Sequence, residues 1–172
     1  MQILECGREH RETLLFFPCT AEPVWAFADT IAVLSQRWHI FQVVFDGHQP
    51  EYPGDFTSVE QTVDEVTQYL NVHGISHLDA AYGCSLGGSF VGLLAARQSI
   101  HMDCGILGSS DLDQASPLAA RLQTDFLLPL IYPVVRDGKF KAKFLQKRLD
   151  KRARESGDYV KAFLKMFGGA RP

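Results

Sequence analysis

Apolar residues in the first two thirds of this chain fall into short continuous runs separated by longer stretches at helical spacing. Leu14-Leu15-Phe16-Phe17 and Ile40-Phe41-Gln42-Val43-Val44-Phe45 are almost unbroken, the pattern of strands covered on both faces. Residues 77–83 and Met102-Asp103-Cys104-Gly105-Ile106-Leu107 predict two more strands. Between them, Trp25, Ala28, Ala32 and Leu34 recur at roughly helical spacing after Pro23. Val59, Val63, Val66 and Leu70 make one face of a helix over 58–72, which Ser58 caps and Gly74 closes. Leu86 to Gln98 predicts a helix of small residues. At the front, residues 2–6 and 12–17 predict two strands joined by Gly7–Arg11, a polar connection of hairpin length.

Strand and helix alternate from residue 12 to residue 107, which implies right-handed crossovers. The predicted fold class is therefore α/β, a mostly parallel sheet flanked by helices. Ligands of such sheets bind at the carboxyl ends of the strands. Those ends are Pro18–Glu22, Asp46–Glu51, Gly83–Ser85 and Ser109–Asp113. After residue 113 the strand signal stops. Ser116-Pro117 reads as a helix start, and Leu118, Leu122, Phe126, Leu130 and Tyr132 supply apolar surface. Residues 139–155 are basic and amphipathic, and Tyr159, Phe163 and Phe167 follow at helical spacing. The expected organisation is a core over 1–113 and a helical lid or cap segment over 114–172.

Composition narrows the class without changing it. With 46% hydrophobic and 22% charged residues and a net charge of −3, the 172-residue chain suits a packed core and carries no nucleic-acid footprint in its totals. A chain of this size buries about 70% of its unfolded surface. Neither a basic leader nor an apolar run of about eighteen residues is visible, so a cytoplasmic protein without membrane or nucleic-acid partners is expected. The basic stretch near 139–155 reads as a solvated helix face, because Asp137, Asp150 and Glu155 are interspersed in it. Cys6, Cys19, Cys84 and Cys104 form no C-x-x-C pair and sit mostly in apolar runs, which favours reduced, buried thiols over disulfides or zinc. No metal and no cofactor is expected.

One stretch carries chemistry. In Asp79-Ala80-Ala81-Tyr82-Gly83-Cys84-Ser85-Leu86-Gly87-Gly88-Ser89-Phe90, a short apolar run meets Gly-x-Ser-x-Gly and turns at once into helix-forming sequence. A serine hydroxyl is a weak nucleophile until a sharp strand-to-helix turn lifts it clear of the backbone. Glycines two positions to either side relieve the crowding of such a turn, and Gly88 allows close packing of the new helix. Cys84 occupies the variable position and is expected to point away from the nucleophile's direction.

In this context the chain resembles the α/β-hydrolase superfamily, over about residues 2–113. More narrowly, Tyr82–Gly88 together with Ile106-Leu107-Gly108-Ser109-Ser110-Asp111-Leu112-Asp113 is similar to a group of small bacterial hydrolase-fold proteins of undefined substrate. The resemblance implies Ser85 as nucleophile and the amide of Leu86 as one oxyanion donor. A second donor would come from Cys19, Thr20 or Ala21, Thr20 foremost. Asp111, or next Asp113, would be the acid. Cys19 and His48 would line the substrate site. The superfamily's histidine follows the last strand, yet all six histidines here precede residue 102, and only His48 follows a strand at the active edge. The expectation is a core that is C-terminally incomplete relative to the superfamily, possible fragment included, acting on a small-molecule ester, thioester or amide weakly or not at all. The alternative is a non-catalytic hydrolase-fold binding or scaffold protein. Surface left open by the shortened core would favour weak homo-oligomers.

Overall fold

The computed structural model of the chain describes residues 1–20, 22–48, 52, 54–110, 116–129 and 132. It divides after Leu112 into two units. The first holds five strands, β1 (Gln2–Cys6), β2 (Thr13–Phe17), β3 (His39–Val44), β4 (His77–Cys84) and β5 (His101–Gly108). Its helices are α1 (Ala28–Leu34), entered through a 3₁₀ turn at Val24–Phe27, α2 (Val59–Val72) and α3 (Leu86–Arg97). In the second unit the described residues form α4 (Pro117–Leu122), capped by the Ser116 hydroxyl, which runs on as a π-helical turn at Gln123–Leu127.

The strands lie in the order β1-β3-β2-β4-β5, parallel except for β1. The expected hairpin between β1 and β2 does not form. β1 instead pairs antiparallel with β3, Gln2 opposite Val44 and Cys6 opposite Ile40. The reason lies in β2, whose five residues are all buried and whose two edges are taken by the parallel strands β3 and β4. A fully buried, largely apolar strand gains most at the sheet centre, so the half-exposed β1 is left with the outer edge.

Helices α2 and α3 cover one face of the sheet over Leu15, Phe17, Phe41, Val43, Leu78 and Ala81. α2 forms as its pattern dictates: Ser58 Oγ accepts from the Gln61 amide at 3.1 Å, and Val63, Val66 and Leu70 are buried. Phe90 of α3 stacks on both Phe17 and Phe45, with ring centroids 5.1 and 4.8 Å away, and so seats the helix against the carboxyl ends of β2 and β3. The other face is thinner. There α1 buries only Ile31, Trp25 stays 55% exposed, and an apolar cavity of about 410 Å³ opens beside Phe16, Phe27, Trp38, Ala80 and Tyr82.

The expectation of buried thiols is corrected for Cys104, which is exposed; Cys6, Cys19 and Cys84 are half-buried, and all four are free. Among the described residues β5 pairs only with β4, and most of its length is exposed. An edge strand covers its side chains on fewer sides than a central one. No helix among the described residues is long and apolar enough to cross a membrane.

Candidate active site

The strand–turn–helix at Ser85 forms where the sequence predicts it. The ladder between β4 and β5 ends at Cys84 opposite Gly108, and the Ser85 amide then donates to the Gly108 carbonyl at 2.8 Å. At Ser85 the backbone takes φ 50° and ψ −114°, and α3 begins at the next residue. That combination is sparsely populated by L-residues and costs on the order of 1–3 kcal/mol. The flanking glycines explain how the chain tolerates it. A Cβ on Gly83 would overlap the Gly87 carbonyl, and one on Gly87 would stand 2.5 Å from the Phe17 carbonyl oxygen. The turn is thus pressed against its own helix on one side and the end of β2 on the other.

Gly88 serves a purpose that the sequence does not suggest. Its missing side chain makes room for Ser110, whose Oγ would collide with a Cβ there. The Ser110 hydroxyl donates to the Ser85 carbonyl at 2.9 Å and lies 3.3 Å from the carbonyls of Gly83 and Gly108. This one side chain ties the end of β5 to both arms of the turn. Ser109, with φ 51°, provides the bend that directs it there.

Among the described residues the Ser85 hydroxyl has no hydrogen-bond partner, and its side chain does not cap α3. The Leu86 amide, first in the helix, is therefore left without a side-chain cap, and the helix dipole adds positive potential there. Across the turn, Pro18, Cys19 and Thr20 leave the end of β2. The Cys19 amide already donates to Glu22 Oε2 at 3.0 Å, and the Glu22 amide closes the loop on the Cys19 carbonyl at 3.4 Å. Of the three amides considered at this place, that of Cys19 is thus engaged. Ala21 lies outside the described residues, and exposed Thr20 has no hydrogen bond on its amide among them.

Glu22 is a residue that sequence reasoning placed only in a strand-end range. Burial pushes its carboxyl above the usual carboxylate range, with the Cys19 amide offsetting part of the rise. Burial also raises the Cys84 thiol, and the nearby Cys19 thiol adds to that rise. The Tyr82 phenol is raised by burial and by Cys84 beside it. Cys19, Cys84, Tyr82 and Glu22 therefore form one group flanking the turn, in which burial disfavours the Cys84 thiolate.

His48 reaches the same edge of the sheet. Its Nδ1 lies 3.0 Å from the Asp46 carbonyl, to which it can only donate. The ring packs edge-on against Phe45 and, with Pro18 and Glu22, lines a cleft of about 10 Å³, the space of one water. Asp46 itself pairs with the Met1 ammonium group. Asp111 and Asp113, the acids implied by resemblance, lie outside the described residues, as do 139–155 and 158–167. Among the described residues one trio, His77, His101 and Asp103, brings three potential metal-ligand atoms together, and it stands at the opposite end of the strands from Ser85.

No protein-family model and no curated protein sequence matches the chain. Solved structures do. The chain superposes on an alpha/beta hydrolase family protein from Desulfitobacterium hafniense with a TM-score of 0.70 at 16% identity, covering 99% of this chain and 72% of that one. A hydrolase from Pseudomonas aeruginosa PA01 gives 0.67 at 16% identity, with 99% and 62% covered. The enol-lactonase from Burkholderia xenovorans LB400 gives 0.64 at 17% identity, with 98% and 64% covered. This chain thus spans less than two thirds of the latter two. Agreement over nearly all of this sequence at identities near one sixth is agreement of fold, and the fold this chain carries is that of the α/β hydrolases.

Proposed function

We propose that the protein is a serine hydrolase of the α/β-hydrolase type, acting on a small ester, thioester or amide through an acyl-enzyme on Ser85. The observation that carries this reading is the Ser85 backbone, held at φ 50° and ψ −114° between glycines that permit it. Strain of this kind persists only where surrounding structure enforces it, and it gathers at reactive sites. Ser85 Oγ attacks the carbonyl carbon. The developing oxyanion is held by the Leu86 amide and, across the turn, by that of Thr20. Cys19 and His48 line the acyl side, and Asp111 serves as the acid.

The proton acceptor is the weak part of this constellation. With every histidine before residue 102, none occupies the place after a final strand, and turnover by the 172-residue chain is expected to be slow or nil. That same observation favours the second reading, a hydrolase-fold protein that binds an acyl compound without cleaving it. A fluorophosphonate probe separates the two. Covalent labelling of the chain that disappears in Ser85→Ala supports an activated serine. An unlabelled Ser85 in folded protein, with an ester ligand still bound, supports the second reading and removes the first.

A further inference from the structure

The amino-terminal ends of β4 and β5 carry a cluster that has no part in the site above. His77 and His101 are register partners in the parallel ladder, and their imidazoles stack with centroids 5.2 Å apart. Asp103, two residues further along β5, turns one carboxylate oxygen to both rings. Its Oδ1 lies 2.9 Å from His77 Nε2 and 3.2 Å from His101 Nε2. The three ligand atoms all fall within 4.8 Å of one another, and all three residues are exposed.

We propose that His77, His101 and Asp103 form a binding site for a divalent transition-metal ion of the zinc type. The geometry is the first argument. Ligand atoms about 2.1 Å from a tetrahedral zinc stand about 3.4 Å apart; the two nitrogen–oxygen separations are 2.9 and 3.2 Å, and the third pair lies within 4.8 Å. The chemistry is the second. Two imidazoles and one carboxylate suit zinc, nickel or copper, whereas magnesium and calcium require more oxygen ligands than this cluster offers. The third argument is preorganisation. Paired strands stand about 4.8 Å apart, so the register fixes both histidine backbones without any loop to order, and binding needs only small side-chain rotations. Three protein ligands leave at least one coordination position open to water. The site lies far from Ser85: eight residues of strand at about 3.3 Å each separate the two ends of β4, roughly 25 Å.

Equilibrium dialysis of the full-length, tag-free chain against zinc chloride tests this, with magnesium chloride as the hard-cation comparison. One zinc per chain and no magnesium is expected. His77→Ala and His101→Ala each weaken zinc binding by roughly ten-fold or more, and Asp103→Asn weakens it in the same direction. Cys104→Ser, which alters the nearest exposed thiol, binds zinc like the unaltered chain. Because the three side chains are exposed, the variants keep the circular dichroism and thermal midpoint of the metal-free protein, so lost binding reports lost ligands. Failure of the unaltered chain to bind zinc at micromolar concentration overturns the proposal. So does full zinc stoichiometry in the His77→Ala/His101→Ala double variant, which would place the ion elsewhere.

Discussion

Ser85 occupies a backbone conformation that glycine would adopt freely, and it remains there because Gly83, Gly87 and Ser110 enclose it. The cost of that conformation is local and can be measured. Ser85→Gly removes strain of about 1–3 kcal/mol and adds about 0.5–1 kcal/mol of chain entropy to the unfolded state. The glycine variant is therefore expected to be more stable than the parent by about 1 kcal/mol in chemical denaturation, whereas Ser85→Ala keeps the strain and stays close to the parent. A glycine variant no more stable than Ser85→Ala would show that the turn is relaxed, and the case for an enforced nucleophile would weaken with it. Ser110 belongs to the same scale. Its hydroxyl joins three carbonyls that meet only after β5 has folded beside β4, so no periodicity or spacing marks it out.

Between elements, the outer edge of the sheet is held by a polar cluster rather than by apolar packing alone. Glu5 on β1 accepts from the Tyr69 hydroxyl of α2 at 2.6 Å, lies 3.0 Å from His39 Nε2 of β3, and pairs with Arg8 at 3.1 Å. Burial by itself would raise the Glu5 carboxyl, but the bonds from Tyr69 and His39 and the charge of Arg8 outweigh it and hold the group below its ordinary range. Tyr69 is pushed the other way, to about 12, by burial and by the carboxylate it faces. The lowered Glu5 value fixes the sign of a pH effect. Its stabilising contribution is complete above the unfolded glutamate pKa of about 4.3 and is lost as pH falls through the lower folded value. Glu5→Gln is thus expected to lower the thermal midpoint at neutral pH and to flatten its decline below about pH 4.3. An unchanged acid limb in the variant would assign that decline to other carboxylates, Asp79 with its two bonds from Thr13 first among them.

Across the first unit the core is lopsided. The α2–α3 face buries a continuous apolar cluster, while the α1 face is thin and leaves its cavity open. On β5, Ile106 and Leu107 are 44% and 43% exposed, and among the described residues the strand has one paired edge and one free. An apolar strand with a free edge is a template for pairing with another chain. The expected consequence is concentration-dependent self-association in sedimentation velocity, reduced by Leu107→Lys, which places a charge on that strand. A monomer at every concentration would count against it.

The sequence alone determined the elements up to residue 108 and the strand–turn–helix at Ser85. Continuous apolar runs, a serine cap at 58 and the Gly-x-Ser-x-Gly spacing are all local patterns, and the cap and Gly83 are enforced within a few residues, although Gly87 answers to the distant Phe17 carbonyl. Pairing was decided by tertiary structure, because register is a competition among all strands for the buried centre. That competition moved β1 to β3 and left Cys104 exposed on β5. It also set His77 opposite His101, two residues that no sequence window holds together.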